Sequence, residues 1–227
     1  DFMESALWQF SLEGELIEVT RMDERPWFLH SHENLILALG RPKCGLLVDG
    51  EHRELPSTSP VMCGLSGREN ILFGHADGTI SSFKGGEICK ESTSIESLTC
   101  IEQGFVAALD NGDLVARTPN SEQIWTASGP QVTTQSAGFD DLHWCGRWDS
   151  IRGYLEVRAS SGELMVSTET SRPRISDFSE NRIAFGFEDG QILVWERELF
   201  ERRSKQEKSE ENSRNSALAA KLRSLRK

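Results

Sequence analysis

One motif returns along this chain, and it limits the possible folds more than any other feature. Residues 70–83, 104–117 and 182–195 each hold a short β-rich run, a turn containing Asp-Gly or Asn-Gly, and a second β-rich run. That pattern is a hairpin. Glycine supplies the positive φ of a tight turn, and Asp or Asn beside it tolerates the same region. The turns fall near Gly78, Gly112 and Gly190, with irregular equivalents near Gly45 and Gly153, so their spacings are 33, 34, 41 and 37 residues. A second series at Gly14, Gly50, Gly86, Asn120 and Gly162 runs with spacings of 36, 36, 34 and 42. Two interleaved series of one period define a unit of four short strands, with turns after the second and the third.

A four-stranded unit of about 35–40 residues is the blade of a β-propeller. Helical repeats of similar length are disfavoured by the Val, Ile, Thr and Phe content and by the frequent turn glycines. A lone blade cannot bury both faces of its sheet, so blades must pack on their neighbours. The sequence therefore predicts an all-β chain, a β-propeller of four-stranded blades. Its phase opens with a third strand at 7–10 and a fourth at 15–20. Four full blades follow at 26–55, 60–92, 96–128 and 131–170, and a last blade supplies strands at 174–178, 182–187 and 191–196. This makes about five to six blades, because 196 residues are too few for seven at this period. A five-bladed ring and a fragment of a longer propeller both fit. In the closed-ring reading, the strand at 15–20 completes the last blade and the strand at 7–10 is left over. Residues 1–196 form the propeller domain, and 197–227 a charged C-terminal tail.

Residues 188–196, Glu-Asp-Gly-Gln-Ile-Leu-Val-Trp-Glu, resemble the WD40 propeller signature in which a turn and third strand end in Trp-Asp. Ala76-Asp77-Gly78-Thr79-Ile80 is a partial second match. The other blades lack the Trp-Asp pair and the family's Gly-His dipeptide at its usual place. Residues 112–116 with Trp125, and Trp8-Gln9-Phe10 before Gly14, are instead similar to quinoprotein-like blades. The resemblance covers roughly residues 7–196 as architecture. It implies a non-enzymatic scaffold that presents loops to protein partners. The alternative it leaves open is a quinoprotein-like propeller with a small molecule or cofactor in its central channel. Against that alternative, the chain lacks the adjacent cysteine pair that quinoprotein dehydrogenases carry.

Charge divides the chain in two. The net charge is −11, but up to Glu196 15 Lys and Arg stand against 31 Asp and Glu, whereas from Arg197 onward 10 stand against 5. An acidic body of −16 repels phosphate backbones, so contact with nucleic acid falls to the +5 tail alone. The tail reads as helix at 196–208 and again at 217–227, where Leu218, Leu222 and Leu225 make one apolar stripe flanked by Lys221, Arg223, Arg226 and Lys227. Such a stripe suits docking on a protein partner. The second tail reading is an RNA-associated factor.

Five scattered cysteines without a CxxC pair read as small buried hydrophobes in a reducing cytoplasm. No apolar run is long enough to span a membrane. No nucleophile elbow, P-loop or dinucleotide motif occurs, and no cofactor or metal is expected. His30-Ser31-His32 places two imidazoles on one strand face without a third ligand in reach. Asp140 and Asp141 with His143 are the other chemical candidate, an acid/base pair on the longest repeat. Trp8, Trp125 and Trp195 lie on predicted strands and are expected to pack between blades. Trp27, Trp144 and Trp148 are the expected surface anchors for a partner.

Overall fold

Side-chain alternation along one strand, Gly104–Leu109, shows how the chain builds its core. Phe105, Ala107 and Leu109 pack with Ile80 and Ile95 on one side of the sheet, while Val106 and Ala108 pack with Val132 and Cys145 on the other. Successive residues of a strand face opposite ways, so one apolar run feeds two cores and the sheet is buried on both faces.

The computed structural model describes residues 5–22, 24–31, 35–41, 43–67 and 70–202. Among these residues the chain forms six antiparallel sheets in sequence order. The first sheet holds β1 (Ser5–Phe10) and β2 (Leu16–Met22). The second holds β3 (Pro26–Ser31), β4 (Leu35–Leu39), β5 (Leu46–Val48) and β6 (Glu51–Arg53). The third holds β7 (Val61–Ser66), β8 (Ile71–His75), β9 (Thr79–Ser82) and β10 (Glu87–Lys90). The fourth holds β11 (Ile95–Ile101), β12 (Gly104–Leu109), β13 (Leu114–Arg117) and β14 (Gln123–Ala127). The fifth holds β15 (Gln131–Ala137), β16 (His143–Trp148), β17 (Gly153–Arg158) and β18 (Leu164–Thr170). The sixth holds β19 (Pro173–Ser179), β20 (Arg182–Phe187) and β21 (Ile192–Glu196). A short helix follows over residues 197–202.

From the second sheet onward, each sheet meets the next through its first strand, and one apolar cluster fills each of the four joints. Burial falls from inside to outside. β12 is buried almost throughout, whereas β18 is exposed along most of its length. The first strand carries the same irregularity in five sheets. Its register passes over one residue at Trp27, Met62, Glu96, Thr133 and Arg174. Such bulges bend a strand and re-aim a side chain.

The hairpin glycines also make the joints. Gly78 (φ +85°) and Gly112 (φ +90°) sit in turns between the second and third strands of their sheets. A Cβ at Gly78 would lie 2.5 Å from the Glu91 carbonyl oxygen, and one at Gly112 only 2.2 Å from that of Gly129. Both carbonyls belong to the link into the next sheet, so the turn of one sheet abuts the entry to its neighbour.

The closure of the ring reading is not found. β2 does not complete the last sheet: it pairs with β1, and β19–β21 remains three-stranded among the described residues.

Candidate interaction surfaces

Among the described residues, each of the two end sheets has an apolar face that no other described sheet covers. On the sixth sheet, Ile183, Phe185 and Phe187 are buried against the fifth. The register puts Ile175, Ala184, Ile192 and Val194 on the opposite face, where Ile175, Ile192 and Val194 are exposed. On the first sheet Trp8 pairs with Val19 and Phe10 with Leu16. The Trp8 and Phe10 rings stack with centroids 6.5 Å apart, and the residues are 57% and 55% exposed. The expectation that Trp8 packs between blades is therefore corrected: no described sheet covers that face. Trp125 and Trp195 do lie at joints. Trp125 is buried, with its Nε1 donating to the Ser160 carbonyl of the fifth sheet at 3.0 Å, and Trp195 packs on Trp144.

Among the expected anchors, Trp27 sits at the bulge of β3, 47% exposed, with the Arg25 guanidinium 4.6 Å from its ring centre. Leu29, two residues on, is also exposed. Trp148 is half-buried, with Arg172 5.4 Å over its ring. Trp144 is 2% exposed and has no surface to offer a partner. Its ring packs on Trp195 at 5.0 Å and on Phe200 at 6.0 Å. The tail residues Leu218, Leu222, Leu225, Arg223 and Arg226 lie outside the described residues. The helix over 197–202 starts the tail on the body. Phe200 lies against Phe139, and Arg197 donates to the Glu180 carbonyl and to Asp140.

The two chemical candidates resolve into structural contacts. His30 Nδ1 lies 2.8 Å from Ser66 Oγ, and His32 is outside the described residues. Asp140 takes the Arg197 contact, while Asp141 accepts the Glu102 backbone N–H at 2.6 Å and so links the fourth and fifth sheets. His143 faces neither carboxylate. It is buried, and its Nε2 meets Gln135 Oε1 at 2.8 Å. Beside it lies an ion cluster that sequence reading missed. Glu156 Oε2 accepts from Arg147 Nε at 2.9 Å and from Arg158 Nη2 at 2.8 Å. Glu156 and Arg158 stand two residues apart on β17, and that spacing carries no mark of the burial that the neighbouring sheet imposes.

Burial, reinforced by Arg158 and Arg147, pushes the His143 pKa down to about 3. An unfolded histidine takes up its proton near pH 6.5, well before the folded one. The stability from neutral His143 is thus fully present above pH 6.5 and is lost as pH falls toward 3, by up to about 1.4 kcal/mol per pH unit. In urea titrations between pH 6.5 and 5, His143→Gln should flatten the pH dependence of the unfolding free energy by about one proton. An unchanged slope would refute this account of the histidine.

No protein-family model matches the chain, and a search of curated proteins finds no relative. Solved structures do match. The computationally designed protein Ika8 aligns at 18% identity and TM-score 0.63, over 81% of this chain and 62% of that one. BamB from Moraxella catarrhalis aligns at 13% identity and TM-score 0.65, over 81% of this chain and 61% of that one. BBS1N, solved in complex with ARL6DN, aligns at 10% identity and TM-score 0.65, over 84% of this chain and 71% of that one. The designed protein, BamB and BBS1N are β-propellers, and this chain has the same fold. It spans about three fifths of the length of Ika8 and BamB.

Proposed function

We propose that this chain is a non-enzymatic protein-interaction module, a propeller that offers the outer faces of its end sheets to a protein partner. The observation that carries the reading is the stacked Trp8–Phe10 pair with Val19, uncovered on β1 and β2. An apolar patch of aromatic side chains has the composition of an interface core. BBS1N, a propeller of similar fold, is seen in complex with ARL6DN, and partner binding by the fold is the use proposed here. The thiols support an inert, intracellular role. All five cysteines are free, and burial pushes Cys63 and Cys145 up to about 12 and Cys89 to about 11, away from nucleophilic thiolates.

The test is affinity capture from native lysate with the full chain, a Trp8→Ser/Phe10→Ser variant and a chain ending at Glu196. A stoichiometric protein should copurify with the full chain and fall at least tenfold with the double variant. Both side chains are more than half exposed, so the variant should unfold within about 0.5 kcal/mol of the parent per site. Loss only in the truncated chain would move the contact to the tail. Equal recovery by all three, or no partner at all, would overturn the reading.

A further inference from the structure

The sixth sheet ends on β21, and among the described residues no strand pairs with its outer edge. Two backbone bonds fix which groups face that way. Phe187 N–H donates to the Gln191 carbonyl at 2.9 Å, and Arg197 N–H to the Asn181 carbonyl at 3.0 Å. Bonding alternates along an antiparallel pair, so Leu193 and Trp195 bond to β20. The N–H and C=O groups of Ile192, Val194 and Glu196 therefore point outward. Ile192 is 70% exposed and Val194 54%.

The last strand of each other sheet is guarded at this edge. Register passes over Ile17 on β2, Ile88 on β10, Ile124 on β14 and Met165 on β18, so each of these strands is bulged. β6 is a short polar strand, Glu51-His52-Arg53. Bulges, short length and charge keep an edge from pairing with a further strand. β21 has none of these over Ile192–Trp195: its register is regular, and charge enters only at Glu196.

We propose that the outer edge of β21 takes up an extended segment of a protein partner as the fourth strand of its sheet. The segment is β-branched or aromatic at its centre and carries Lys or Arg at its ends. Strand addition satisfies the outward groups of Ile192, Val194 and Glu196, and partner side chains opposite Ile192 and Val194 extend their apolar face. Acids mark both ends of the site: Glu188 and Asp189 precede β21, Glu196 closes it, and residues 188–196 contain no Lys or Arg. Arg174 and Arg182 meet Glu188 and Glu196 only in exposed pairs, which add little. The same charge disfavours a second copy, because two bodies of −16 would meet edge to edge. The chain's own tail is poorly suited: residues 203–227 contain no Val, Ile, Thr, Phe, Tyr or Trp, the residues that favour strands. The site rests on the reading of the chain as a protein-interaction module, and it supplies that reading with a backbone contact apart from the Trp8–Phe10 face.

The test uses the full chain and a peptide blocked at both ends, Lys-Thr-Val-Thr-Val-Thr-Lys. In the free chain, amide hydrogen exchange should be fast at Ile192, Val194 and Glu196 and slow at Leu193 and Trp195. The peptide should shift these resonances saturably in the millimolar range and protect the three fast amides. Its counterpart with Glu at both ends should bind at least about tenfold more weakly. Val194→Pro should lose binding to the same degree. It removes an outward N–H while the bonds of Leu193 and Trp195 to β20 remain, and an edge strand tolerates proline there. Should proline unfold the sheet, Val194→Lys, a charge of the kind that guards other edges, should give the same loss. Protection of all five amides in the free chain would show that a second copy or the tail already fills the edge. That result, the absence of a saturable shift, or equal binding by the Glu-ended peptide or by the Val194 variants would overturn the proposal. The peptide reports on the edge without any partner, so its failure is distinguishable from failure of the capture experiment.

Discussion

Arg147→Ala should lower the free energy of unfolding in urea by about 3–5 kcal/mol, the scale for removing one partner of a buried ion pair. The Arg147 side chain is 0% exposed. Its Nε donates to Glu156 Oε2 at 2.9 Å, and its Nη1 to the carbonyls of both Gly112 and Pro130 at 2.7 Å. Those carbonyls lie in the turn of the fourth sheet and in the link out of it, so one guanidinium pins two sheets together. Without it, Glu156 keeps Arg158 but loses its second guanidinium, and the arginine's bonds to the two carbonyls are lost. Arg147→Met would restore most of the packing volume without the donors, and its cost should stay close to that of alanine. A loss below about 1 kcal/mol, the scale of an exposed ion pair, would show that the joint does not depend on this cluster.

Trp144→Ala should cost a further independent 3–5 kcal/mol or so, the range for truncating a large buried aromatic. The indole fills the joint between the fifth and sixth sheets, against Phe185, Trp195 and Phe200. Its removal leaves a cavity and takes a ring away from under the helix over 197–202. Partner capture per folded molecule should be unchanged. This separates Trp144 from Trp8, whose replacement should do the opposite: small effect on stability, large effect on binding. Equal and small effects on both quantities would refute the buried role.

The contrast between these two tryptophans shows where sequence reading works. The third sheet was legible as a unit: a four-stranded blade at 60–92 was expected, and its four strands, Val61–Ser66, Ile71–His75, Thr79–Ser82 and Glu87–Lys90, are found within those bounds. Turn chemistry is local, and Asp77-Gly78 announces it. Burial is not local. Trp8 and Trp144 each lie on a strand, but one face meets a neighbouring sheet and the other does not. Trp144 also follows a turn in which Asp140 and Asp141 both take positive φ, and beside that turn it read as a surface anchor although it is the second residue of β16. The bulges were invisible for a related reason. Passing over one residue, as at Met62 or Thr133, leaves the apolar alternation on either side unmarked.

The seams at Gly78 and Gly112 carry one more consequence. Each is made where a residue without a side chain lies against a main-chain carbonyl, which any residue can provide. Such a seam makes a demand on one position per repeat and is indifferent to the identity of most others, provided apolar side chains still alternate. The repeats of this chain bear that out among themselves: His-Ala-Asp-Gly at 75–78 and Leu-Asp-Asn-Gly at 109–112 share little beyond the final glycine, yet each seats the next sheet through the same contact. Stacking of this kind works as a mechanical standard, like a common thread on unlike bolts, and it leaves the rest of each unit's surface free to diverge.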